Sequence, residues 1–161
     1  MIIRIAFCKE ENTWHHKIIK WWTDSIYSHA ELVFPDDTSV SISPFETIGV
    51  RRQDKYDFDD TKCWDMIEVE ISEDQADKLQ DFFLCTEGDQ YDWLGMVLSQ
   101  FTPFIVKRIG RWYCSEWIAY ALRIISAIDG VYIHADLSPQ RLFELLKRKK
   151  EVSSSTAHLG E

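Results

Sequence analysis

A cysteine at the head of an apolar helix pattern and a histidine at the start of a strand pattern are the side chains best placed for nucleophilic chemistry in this 161-residue chain. From Cys114 onward, Trp117, Ile118, Ala121, Leu122, Ile125 and Ile128 recur near the 3.6-residue period of a single helix face. Spacing alone favours a buried core thiol, because free cysteine is among the most buried residue types. The position favours chemistry. A thiol in a first helical turn meets unpaired backbone N–H groups and the positive end of the helix dipole, which lower its pKa and supply oxyanion donors. The polar neighbours Tyr113, Ser115 and Glu116 are unexpected if the whole turn were core.

A nucleophilic thiol needs a base, and the histidines are His15, His16, His29, His134 and His158. His29 is the best placed. It enters a strand pattern, "SHAELVF", whose alternation puts His29, Glu31 and Val33 on one face and Ala30, Leu32 and Phe34 on the other. His15 and His16 read as helix surface, His134 as a turn residue, and His158 as part of the C-terminal tail. A base of this kind works best when a polar group orients its far nitrogen. "SVSISPFE" offers Ser41, Ser43 and, further on, Glu46, while Glu31 is the rival. A serine hydroxyl accepts an imidazole N–H but does not stabilise imidazolium as a carboxylate does. Glu31 would have to reach back across about 6.5 to 7 Å of its own strand.

The elements that must position these groups read as follows. "MIIRIAF" is an opening strand, and Thr13 to Tyr27 has helical periodicity through Trp14, Ile18, Ile19, Trp22 and Ile26. Ser28 to Phe34 and "SVSIS" form a hairpin around the turn cluster "PDDTS". Arg51 to Lys62 reads as surface loop, and Cys63 to Ile71 as a third strand. Ser72 caps a helix, with Gln75 completing a capping box and Gly88 as its stop. "YDWLGMVLSQF" is short and helical or irregular, ending near Thr102-Pro103, and Gly110 precedes the Cys114 helix. A last helix starts at Ser138-Pro139. Its basic cluster "LKRKKE" is read as dressing the final turn. The whole is one α+β domain over 1–150, an antiparallel sheet packed against mostly C-terminal helices, with 151–161 as a disordered tail.

Composition bounds the function. Apolar residues make up 45% of the chain, and seven Trp, nine Phe and six Tyr suit a globular core. The formal charge of -9 would repel a polyanion, so nucleic acid is not expected as a partner. No apolar run approaches the roughly 20 residues of a membrane span, and the N-terminus lacks the features of a signal peptide, so the chain reads as cytoplasmic when made. Cys8, Cys63, Cys85 and Cys114 show neither a CxxC pair nor a histidine at ligand spacing, which leaves four free thiols and no zinc site.

Three short segments together, "YSHAELVF", "YDWLGMV" and "WYCSEWIAYAL", resemble the circularly permuted branch of the NlpC-type, papain-like cysteine hydrolases, the broad group that includes the lecithin retinol acyltransferases. The resemblance spans roughly Ile18 to Leu122. In that branch the histidine strand precedes the cysteine helix, as here. It implies a permuted papain-like fold with the nucleophile at a helix N-terminus. Cys114 would be the nucleophile and His29 the base, with the Cys114 backbone N–H in the oxyanion hole. The family orients its imidazole from the neighbouring strand, which points to Ser41, with Glu31 the alternative. Tyr91 and Trp93 would line the substrate site. Tyr91 also reads as an aromatic anchoring a turn that Asp92 caps, and Glu116 as a partner of the helix dipole.

The implied reaction is hydrolysis of a peptide or amide bond through an acyl-enzyme, with cell-wall peptides the leading substrate class and no cofactor or metal. The alternatives are a thiol acyltransferase or esterase on lipid substrates, and a catalytically silent binding or structural member of the fold. "SQFTPFIVKRIG" and the tryptophans read equally as an acyl pocket or as core. A small bacterial or phage-encoded protein is the expected setting, with phage association or export by a non-signal route as alternatives to the cytoplasm.

Overall fold

The computed structural model describes residues 1–9, 25–43, 48–54, 58–92, 94–95, 109–128 and 137–157. A five-stranded antiparallel sheet organises the chain, with strands β1 (Ile2–Cys8), β2 (His29–Val33), β3 (Ser39–Ser41), β4 (Arg51–Gln53) and β5 (Trp64–Glu70). Their spatial order is β4-β3-β2-β1-β5. The three helices among the described residues are α1 (Glu73–Thr86), α2 (Cys114–Ile124) and α3 (Pro139–Ala157). A two-residue parallel pair, β6 (Gln90–Tyr91) with β7 (Arg111–Trp112), lies between α1 and α2 in sequence. The fold class is thus α+β with an antiparallel sheet.

Register decides what each sheet face carries. Cys8 pairs with His29, Ala6 with Glu31 and Phe7 with Ala30, so β1 and β2 sort their side chains together. On one face Ile3, Ile5, Phe7, Ala30, Leu32, Val40 and Ile67 join Leu79 and Phe83 of α1, Trp117, Ile118, Ala121 and Leu122 of α2, and Leu142 and Leu146 of α3 in the main core. On the other, Ala6, Cys8, Val33, Phe58 and Trp64 make a smaller cluster. The expected alternation of His29, Glu31 and Val33 against Ala30, Leu32 and Phe34 matches this division.

Polar bonds lock the helices. Ser72 and Gln75 form the reciprocal capping box of α1, whose stop at Gly88 has the positive φ of 85° that glycine accepts without strain. Gln75 Nε2 donates to the Ile125 carbonyl at 2.6 Å, and Trp117 Nε1 to Thr86 Oγ1 at 2.9 Å, pinning α2 along α1. Ser115, fully buried, donates to the Leu137 carbonyl at 2.6 Å and so ties α2 to the residues entering α3.

Several expectations need correction. Arg51–Gln53, read as loop, is edge strand β4. All three of its side chains are polar, so no apolar alternation marks it. Arg52 instead stacks its guanidinium over Phe34 at 4.5 Å and bonds Thr38, Gln80 and Asp36. The two-residue strands β6 and β7 are too short to show a period. α3 runs on to Ala157, so the boundary drawn at 150 falls inside the helix, and the basic cluster sits mid-helix, exposed beyond the buried Leu142 and Leu146. Of the helix expected over Thr13 to Tyr27, 13–24 lie outside the described residues, and Ser25 to Tyr27 are not helical. The segment 158–161 also lies outside them.

Candidate active site

Cys114 is the first residue of α2, and α2 rests on the Ala30 and Leu32 face of β2. Its side chain is almost fully buried. Tyr113, the N-cap residue, gives the helix no side-chain cap, and the sulfur is held by local backbone instead. The N–H groups of Ala30 and Ser115 both hydrogen-bond to it. The Cys114 N–H belongs to the first turn, where an α-helix has no acceptor of its own to offer.

β3 pairs with β2 at Leu32 and Val33 only, which leaves the His29 end of β2 open to the helix terminus. There the imidazole and the thiol meet. Burial opposes charge on both groups, but each compensates the other. Charge attraction and a hydrogen bond to Cys114, reinforced by Glu31, raise His29 to about 10, while the same imidazolium with the Ala30 and Ser115 N–H groups pulls the Cys114 thiol down. The raised histidine and the lowered cysteine each shift toward the charged form, and each shift rests on the other group. His29 keeps 16% of its side chain exposed, so the imidazole reaches solvent while the Cys114 thiol is buried.

The far side of the ring is equally specified. Nε2 lies 3.2 Å from Ser41 Oγ and 3.4 Å from Glu31 Oε1. Both orienting candidates therefore converge on one nitrogen. Glu31 is buried, and burial opposes its charge, yet hydrogen bonds from His29, Ser39 and Ser41 hold its carboxyl below the usual range. Ser39 donates to Glu31 Oε2 at 2.8 Å. Sequence reasoning passed over Ser39, although the alternation of "SVS" turns both serines toward the face of His29.

The "YDWLG" segment supports the same corner. Tyr91 pairs with Trp112, and the Asp92 N–H donates to the Trp112 carbonyl at 2.8 Å, so this short parallel pair delivers the chain directly into Tyr113 and Cys114. Asp92 Oδ1 accepts the Gly95 N–H at 2.8 Å in an N-cap arrangement, and a Cβ on Gly95 would stand 2.3 Å from Asp92 Oδ2. The turn reading of Tyr91 fits this arrangement. It anchors a capped turn, and its phenol is raised well above its usual range by burial and then by the charge of Cys114, Tyr113, Asp92 and Glu116. Tyr91 stays a neutral hydrogen-bond donor close to the sulfur. Glu116 sits in the first turn of α2, where its charge suits the dipole, and also near Tyr91.

The structure brings Cys114, His29, Ser41, Glu31 and Tyr91 together. Trp93, Glu46, His15, His16, His134 and His158, and most of "SQFTPFIVKRIG", lie outside the described residues. Among the described residues no group of three or more His, Cys, Asp or Glu side chains is arranged to hold a metal, and no helix is long and apolar enough to cross a membrane. Compared with known proteins, the chain matches no family model and no curated protein.

Proposed function

We propose that this chain is a cysteine hydrolase of the circularly permuted NlpC-type, papain-like class, acting on a peptide or other amide bond, with cell-wall peptides as the leading substrates. The observation that carries the reading is the coupling of a helix-terminal thiol to an imidazole whose other nitrogen faces Ser41 and Glu31. A core cysteine needs none of this. The order of histidine strand before cysteine helix, and the delivery of "YDWLG" to the same corner, support the permuted class.

In this mechanism the Cys114 thiolate attacks the carbonyl carbon and the carbonyl π electrons move to oxygen. The Cys114 N–H and the dipole of α2 stabilise that oxyanion. Imidazolium His29 gives its proton to the leaving amine as the tetrahedral intermediate collapses to a thioester. His29, now neutral, takes a proton from water, and the resulting hydroxide equivalent releases the acid and regenerates the thiolate.

A screen of peptide, ester and muropeptide substrates against wild type and Cys114→Ala tests the proposal. Turnover lost in Cys114→Ala, with a trapped thioester on Cys114 in the wild type, is the expected outcome. Preference for lipid esters over amides would move the assignment to the acyltransferase branch. Equal turnover by wild type and Cys114→Ala would overturn it.

A further inference from the structure

Ser39 is fully buried, and packing does not explain its hydroxyl. Its sheet face includes Ala6, Cys8, Val33, Phe58 and Trp64, a setting in which alanine would fit without the cost of burying a polar group. The hydroxyl has one evident use. It donates to Glu31 Oε2 at 2.8 Å, while the other oxygen, Oε1, lies 3.4 Å from His29 Nε2. The carboxylate is thus clamped between a fixed donor on β3 and the imidazole on its own strand. Without the clamp, a glutamate two residues along from the histidine would have three side-chain torsions free to swing it elsewhere.

We propose that Ser39 and Glu31 form a positioning relay for His29, in which Ser39 fixes the Glu31 carboxylate and Glu31 holds the imidazole charged, with Nδ1 turned toward Cys114. Ser41 completes the surroundings of Nε2 as a neutral partner. The orienting charge therefore comes from the base's own strand, and the neighbouring strand supplies hydroxyls. A buried carboxylate is a poor device for stability, since apolar replacements of buried ion pairs are often neutral or stabilising, and this favours an electrostatic task for Glu31. Among the described residues the groups around His29 are Cys114 from α2, Ser41 from β3, Cys8 opposite on β1 and Arg51 at the register position of Ser41 on β4, with Tyr91 and Glu116 near Cys114. Among them Glu31 is the carboxylate that reaches the ring.

The inference deepens the hydrolase reading, but its test needs no substrate. The full chain is labelled with nitrogen-15 histidine, and the His29 ring shifts are followed against pH in wild type, Glu31→Gln and Ser39→Ala, with near-UV circular dichroism as the check on folding. Glu31→Gln is expected to lower the His29 midpoint by roughly one pH unit or more, and Ser39→Ala to lower it by less. An unchanged midpoint in folded Glu31→Gln overturns the relay. Should Glu31→Gln not fold, Ser39→Ala decides alone, since it removes one oxygen and little volume, and an unchanged midpoint there overturns the proposal. Repeating the series in Cys114→Ala separates the two readings, because the relay predicts the same ordering without the thiol whether or not any acyl substrate is turned over.

Discussion

Between the lowered thiol of Cys114 and the raised imidazole of His29 lies a pH window in which both groups are charged. An ordinary thiol, with a reference pKa of 9.0, is mostly protonated and unreactive near neutrality, so alkylation of Cys114 is predicted to be well advanced at pH 6 to 7 where Cys8, Cys63 and Cys85 lag. His29→Ala removes the cation and is predicted to slow Cys114 alkylation by roughly tenfold or more near pH 6.5. The same shift bears on stability. His29 is raised from 6.5 to about 10 on folding, so its proton stabilises the fold in full below about pH 6.5, and that contribution is lost as pH rises through about 10. Denaturant midpoints for wild type and His29→Gln are therefore predicted to converge above pH 10, and a gap that stays constant from pH 6 to 10.5 would contradict it.

The places of Cys114 at a helix start and His29 at a strand start were legible in the sequence from a helix stripe and a strand alternation, while their pairing was read from the resemblance of three segments and not from spacing. The alternation also named the face on which Glu31 lies. What spacing left open was reach. Whether Glu31 bends back along β2 depends on Ser39, a contact between strands whose register is set by the hairpin and not by any local pattern.

At the level of elements, the site is a helix terminus pressed against the open end of a strand. Ser115→Ala would leave the buried Leu137 carbonyl unpaired, at a cost of about 1 to 3 kcal/mol in chemical denaturation. Gly95→Ala would drive a Cβ against the Asp92 carboxylate and dislodge the cap that accompanies Tyr91. It should slow Cys114 alkylation or substrate turnover more than it lowers the denaturation midpoint. Helices α1 and α2 were readable from their caps and periods, since Ser72, Gln75 and the Cys114 stripe carry strong local signals. β4, β6 and β7 were not. They exist because a partner strand is present, and three polar or two mixed residues hold no periodicity that reveals such pairing.

For the whole molecule, one sheet serves two tasks. Its apolar face carries α1, α2 and α3, and that packing aims the thiol. The opposite face lodges a buried carboxylate and two serines beside a small apolar cluster, a polar expense within a fold whose main core is strongly apolar. Leu122→Ala, at a fully buried position where α2 meets the core, is predicted to cost about 2 to 5 kcal/mol by denaturant titration and to blunt Cys114 reactivity only as the folded fraction falls. The α+β class with an antiparallel sheet followed from the succession of periods along the chain. The length of α3 did not, because the sequence beyond Leu146 is largely polar and carries no apolar stripe to mark where the helix ends.

The most direct test is competitive labelling of the native protein with limiting iodoacetamide near neutral pH, the four cysteines quantified by peptide mass spectrometry in wild type and His29→Ala. A nucleophile poised by its imidazole requires Cys114 to be modified well ahead of Cys8, Cys63 and Cys85, and to lose that lead when His29 is removed. Labelling of Cys114 no faster than exposed Cys85, or a lead indifferent to His29, would contradict the catalytic pair.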